Sequence, residues 1–128
     1  MLLNWKSLIT VYSIVLLAIT GFSQVETPQL SPRCNFTQTV GLTDIAIDYS
    51  RPSKRNRIVF GNVVPYDKVW RLGANKNSTI NISDDIYFGA DTLFKGEYAL
   101  FAIPGEQSWE LVFYKETSNW GTPDTWDE

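Results

Sequence analysis

Along most of the chain, apolar and polar residues alternate with a period of two, the pattern of strands that bury one face. In Thr43-Asp44-Ile45-Ala46-Ile47-Asp48-Tyr49, Ile45, Ile47 and Tyr49 share one face, and Asp44, Ala46 and Asp48 share the other. Residues 78–83 repeat the alternation with Ile80 and Ile82 inward, and residues 84–88 repeat it with Ile86 and Phe88. Residues 97–103 and 109–114 are denser in apolar side chains, which predicts strands covered on both faces. Breaks fall where turns are needed. Gly89-Ala90-Asp91 and Lys95-Gly96 punctuate the middle, and Pro104-Gly105-Glu106-Gln107 predicts a hairpin loop. No segment has the caps and spacing of an amphipathic helix, although Tyr66 to Leu72 has room for one short helical turn. Short strands separated by turns predict an all-β domain, an antiparallel β-sandwich or a barrel-like form.

The first 23 residues depart from this pattern. Lys6 precedes a nearly unbroken apolar run from Leu8 to Ile19, and Gly21 and Ser23 have the small-residue spacing that signal peptidase accepts. The sequence therefore predicts a signal peptide over residues 1–23, a polar lead-in over 24–32 and a single domain over 33–128. The apolar run is short for a bilayer span, so no stable membrane span is expected after cleavage. No cysteine follows the run to carry a lipid anchor. The product is expected to be exported, to the periplasm, the cell surface or the exterior.

Composition narrows the chemistry. A chain of 128 residues with 44% apolar side chains has enough for one core and is too apolar to be disordered. Eleven basic residues against 14 acidic ones give a net charge of -3, with no electrostatic footprint for nucleic acid. The chain has no histidine, which excludes Ser-His-Asp and Cys-His mechanisms and any histidine-ligated metal. The single cysteine, Cys34, forms no internal disulfide and reads as a small, half-buried residue at the start of the first strand. Neither a cofactor, a metal site nor a catalytic residue is expected.

The richest candidate for binding is Trp70-Arg71-Leu72-Gly73-Ala74-Asn75. An indole, a guanidinium and an amide close together could hold a sugar or a carboxylate by stacking and paired hydrogen bonds, so Trp70, Arg71 and Asn75 are the candidate ligand-binding residues. The alternative is that Trp70 fills the core, Arg71 pairs with a carboxylate such as Asp48, and Asn75 closes a turn. Arg51, Lys54, Arg55 and Arg57 lie together in a loop after Tyr49 and read as a solvated cluster. Asp84-Asp85, with Asp91, lacks the spacing of a calcium loop and reads as a strand edge. Asp44, Asp48, Asp84 and Glu97 leave open a carbohydrate-active hydrolase that uses carboxylates without histidine, though their spacing selects no pair. Tyr66, Trp70, Tyr87, Tyr98, Phe101, Trp109, Phe113, Tyr114, Trp120 and Trp126 are more aromatic surface than one small sandwich need hide, so an exposed stacking platform is expected.

Four stretches carry a resemblance. They are Gln38 to Asp44, Asp48-Tyr49-Ser50-Arg51-Pro52, Val64 to Asn75 with its Trp-Arg-x-Gly-Ala-Asn core, and Gly96 to Gly105. Together with Trp109 and Asn119-Trp120-Gly121 they resemble domain-of-unknown-function family 2911, found mainly in exported proteins of Bacteroidota. The resemblance implies an all-β exported domain and transfers no catalytic residue. It also implies several further strands beyond the Trp-Gly element, so a C-terminally truncated sheet is expected here, with residues 24–128 alone melting poorly or aggregating. Given a bacterial source, the triplets at Asn35, Asn77 and Asn81 that match the N-glycosylation pattern read as ordinary strand and turn polarity. The expected function is a non-catalytic binding or structural module of the cell envelope. Its partner would be a glycan, another envelope component or a protein.

Overall fold

The computed structural model describes residues 4–6 and 26–123. Most of the predicted signal peptide and Trp126 lie outside the described residues, and no helix among those described is long and apolar enough to cross a membrane. The described strands are β1 (Arg33–Val40), β2 (Thr43–Ser50), β3 (Thr79–Ile82), β4 (Ile86–Phe88), β5 (Asp91–Leu93), β6 (Gly96–Pro104) and β7 (Trp109–Tyr114). Five of them form one antiparallel sheet in the order β1-β2-β3-β6-β7, and β4 and β5 form a separate hairpin. Phe88 on that hairpin stacks 6.4 Å from Phe113 on β7, which lays the hairpin against one side of the main sheet.

The fold is all-β and sandwich-like, but it is not a barrel. The main sheet is open, with β1 and β7 as separate edges that do not pair with each other. Each hairpin owes its register to a short turn. Gly41 (φ 65°) and Leu42 join Val40 to its partner Thr43, and glycine first in a two-residue turn suits the twist of the flanking strands. At the β6–β7 loop, the Gly105 amide donates to the Ser108 carbonyl at 2.9 Å.

Register divides the sheet into two unlike sides, because residues directly opposite one another point the same way. One row runs Phe36, Ile47, Ile80, Tyr98 across four strands, and Leu100 pairs with Phe113 beside it. The neighbouring rows on the opposite side run Asn35, Asp48, Thr79, Ala99 and Thr37, Ala46, Asn81, Glu97. The alternation predicted for β2 and β3 is therefore present, with Ile45, Ile47, Tyr49, Ile80 and Ile82 on one side. Burial concentrates on β6, where Tyr98, Ala99, Phe101 and Ala102 are all buried, with Ile82 and Val64 completing the core.

Two expectations need correction. Strand β7 was expected to be covered on both faces, yet it is an edge strand of the described sheet, and Trp109 and Leu111 remain exposed. No helical turn forms over Tyr66 to Leu72. Trp70 instead makes an isolated antiparallel bridge to Ala102, with N–H to O=C distances of 2.7 and 2.9 Å. The Asp67 amide donates to the Pro104 carbonyl and the Leu100 amide to the Ser78 carbonyl, so this segment runs beside β6 where β3 has ended. Positive φ at Asp67 (54°) and Leu72 (50°) is incompatible with a continuing right-handed helix.

Candidate functional site

The polar side of the sheet carries a cleft. Lys76 and Asn77, just before β3, and Thr117, after β7, reach the polar rows. A cavity of about 360 Å³ is lined by Arg33, Asn35, Ala46 and Asp48 from β1 and β2, by Lys76, Asn77, Thr79 and Asn81 around β3, and by Glu97 and Thr117. Beside it lies a larger cleft of about 800 Å³ lined by Gln29, Leu30, Ser31, Arg33, Ser50, Asn75, Lys76 and Trp120. Arg33 and Lys76 line both, so the two spaces are neighbours across those side chains. Trp120 is 70% exposed, leaving its indole available at the rim of the larger space.

Local chemistry shapes the 71–77 loop. Leu72 is held at φ 50°, an uncommon conformation for a side-chain-bearing residue, and its carbonyl accepts a 2.8 Å hydrogen bond from the buried Ser78 hydroxyl. Arg71 Nη1 donates to the Asn75 carbonyl at 3.2 Å, and Asn75 itself sits at φ 62°, which asparagine tolerates better than most residues. Gly73 is where the loop presses on the sheet: an added Cβ would lie 3.1 Å from Ser78 Oγ and 3.3 Å from the Ser50 carbonyl.

Charges in the smaller cavity partly cancel. Arg33 Nε lies 2.6 Å from Asp48 Oδ1, an ion pair rather than a well-aligned hydrogen bond, since the same oxygen has no hydrogen-bond partner by geometry. Both groups are partly exposed, so the pair stabilises the fold by about 0–1 kcal/mol. Asn77 differs from its neighbours. It is 2% exposed, and neither its Nδ2 nor its Oδ1 has a hydrogen-bond partner among the described residues. Leaving a buried polar group unmatched costs about 1–3 kcal/mol, so this amide is a net cost to the fold.

The structure separates the three residues that the sequence grouped. Trp70 joins Phe60 and Trp109 in an edge-to-face cluster, with centroids 5.8 and 6.0 Å away, on the apolar side with Ala102. Arg71, the next residue, braces Asn75, and only Asn75 of the three lines the cleft. Asp48 is paired with Arg33, not with Arg71. Sequence reasoning gave no site role to Arg33, Lys76 or Asn77. Trp120 was legible only as part of the Asn-Trp-Gly element and the aromatic surplus.

The other candidates are tied into turns. The Arg57 guanidinium donates to the Ser53 and Lys54 carbonyls within an exposed loop. Asp84 accepts from the Ser83 hydroxyl and Asp85 from the Lys95 amide, both at 2.8 Å, at the ends of β3, β4 and β5. Cys34, half-buried as the second residue of β1, lies opposite Tyr49. Both line a groove of about 440 Å³ on the apolar side, with Phe36, Ile47, Leu72 and Leu100.

An open antiparallel sheet with an apolar side and a histidine-free polar cleft on the other defines a small all-β domain with a concave polar surface. Residues 31–128 match the family described as Protein of unknown function (DUF2911), and the chain belongs to that family. No curated protein and no solved structure matches it.

Proposed function

We propose that the protein is a non-catalytic binding module of the cell envelope that holds a glycan in the cleft on the polar side of its sheet. One observation carries this reading: an exposed indole, Trp120, borders a cleft of about 800 Å³ whose lining includes Asn75 and the cations Arg33 and Lys76. Sugar recognition needs an aromatic face for the ring's C–H side and fixed polar groups for its hydroxyls. The predicted export signal supports an envelope setting. Arg71 enters as a positioning residue that holds the backbone of Asn75.

The test is a thermal-shift and calorimetric screen of the protein against neutral and acidic envelope glycans and polysaccharide fragments. A ligand at a hundred times its dissociation constant stabilises the fold by about 2.7 kcal/mol, a rise on the order of 10 °C in a domain of this size. Trp120→Ala and Asn75→Ala are expected to abolish the shift and Arg71→Ala to weaken it. Trp70→Phe, on the other side of the sheet, is expected to leave it unchanged. A shift that survives both Trp120→Ala and Asn75→Ala would place the ligand elsewhere.

The hydrolase reading has one observation of its own, since Asp48 and Glu97 line the same cavity. Their strands are separated by β3, about 10 Å across two strand spacings, and Asp48 is already engaged by Arg33. Release of a chromophore from aryl glycosides, lost in Glu97→Gln, would convert the binding module into an enzyme.

A further inference from the structure

We propose that the smaller cavity is a subsite for a neutral vicinal diol, one unsubstituted sugar ring, read through the side-chain amide of Asn77. This rests on the binding-module reading and names the ligand class of that same cleft. Asn77 lines the cavity, is 2% exposed, and has no partner for either amide atom among the described residues. A carboxamide presents an acceptor oxygen and N–H donors side by side. Adjacent hydroxyls of a pyranose complement that pair: one donates to Oδ1, and the oxygen of the other accepts from Nδ2. A carboxylate has no proton for Oδ1, and an ammonium group has no acceptor for Nδ2.

The charges in the cavity favour the same class. Arg33 and Lys76 are balanced by Asp48 and Glu97, and Arg33 and Asp48 already face each other at 2.6 Å. An acidic sugar brings its charge towards Asp48 and Glu97, and an amino sugar brings its charge towards Arg33 and Lys76. Hydroxyls donate and accept, so they can use all four groups as well as Asn81. The volume, about 360 Å³, lies at the small end of small-molecule sites. Both amide atoms are buried, so a hydroxyl reaches them only when the wall of the cavity shifts.

The test is calorimetry on the protein with glucose, galactose, mannose, glucuronate, glucosamine and glycerol, alongside the melting temperature of each variant. A neutral pyranose is expected to bind at least ten-fold more tightly than glucuronate, glucosamine or glycerol. Asn77→Leu keeps the shape and removes both unmatched atoms, so it is expected to lose at least ten-fold in affinity while its Tm holds or rises. Glu97→Gln, at an exposed position, is expected to narrow the gap between glucuronate and glucose several-fold. Binding confined to a charged sugar, glycerol bound as tightly as a pyranose, binding that persists in Asn77→Leu, or a clear fall in Tm for that variant would each overturn the subsite. Glucuronate binding that is lost in Trp120→Ala would leave the module standing and the diol subsite refuted. No binding by any sugar would remove both.

Discussion

At the residue scale, the most informative pair outside the cleft is Cys34 and Tyr49, cross-strand partners on β1 and β2. The hydrogen bond between them raises the Tyr49 phenol above its usual 10.0. Electrostatic repulsion from Cys34 and partial burial add to the rise, and Arg51 opposes it. The native state therefore holds this proton more tightly than the unfolded chain does. The resulting stability is intact below pH 10 and is lost as pH climbs through the raised value. Cys34→Ala is expected to bring the tyrosinate absorbance midpoint of Tyr49 down towards 10, and Tyr49→Phe to remove its part of the alkaline loss; a midpoint indifferent to Cys34→Ala would refute the coupling. The half-burial of Cys34 was legible from its place at the head of a strand. The cleft was less so, for a geometric reason. Neighbouring residues in extended chain point to opposite sides, so Trp70 and Arg71, adjacent in a conspicuous motif, part company at the sheet. Asn77 left no sequence signal, because its burial arises only from tertiary packing just ahead of β3.

At the scale of elements, the 71–77 loop depends on its anchors. Ser78→Ala removes the bond that holds the Leu72 carbonyl and leaves that half-buried acceptor unmatched. It is expected to cost about 1–3 kcal/mol in chemical denaturation and, by freeing the loop, to weaken binding in the cleft. Equal affinity in Ser78→Ala would mean that the loop does not need this anchor. Gly61 is a second fixed point, at φ 82° with the Tyr66 ring 2.9 Å from where a Cβ would stand. Gly61→Ala is expected to cost about 1–3 kcal/mol from backbone strain and the clash together. The strands were easier to read than these connections. Ile45-x-Ile47-x-Tyr49 and Ile80-x-Ile82 alternate because one side of the sheet is apolar and the other polar, and the expected break lies between β6 and β7 over Gly105 to Gln107, with Pro104 still paired as the last residue of β6. Strand β5, with sequence Asp-Thr-Leu, is too short and polar to register as a period. Density of apolar residues misled at β7, because the same composition serves a covered strand and an exposed edge.

At the scale of the whole molecule, the sheet has two sides of opposite character. Strand positions on the apolar side carry no charged residue, and Phe36 and Leu111 there are 50% and 59% exposed. Both edges, β1 and β7, are also open to pairing. Phe36→Ser combined with Leu111→Ser is expected to reduce the fluorescence of a bound apolar dye and to lower concentration-dependent association in sedimentation. Glycan binding on the other side should be unaffected. An unchanged dye signal would mean that the apolar side is already covered in solution. The two-sidedness was legible in the alternation but its extent was not, since exposure depends on which strands lie at the edges. The same asymmetry governs how the molecule lands. At an air–water boundary or on a waxy support, such a plate settles greasy side down, so an adsorbed film would display its polar cleft to the solution with every molecule the same way up.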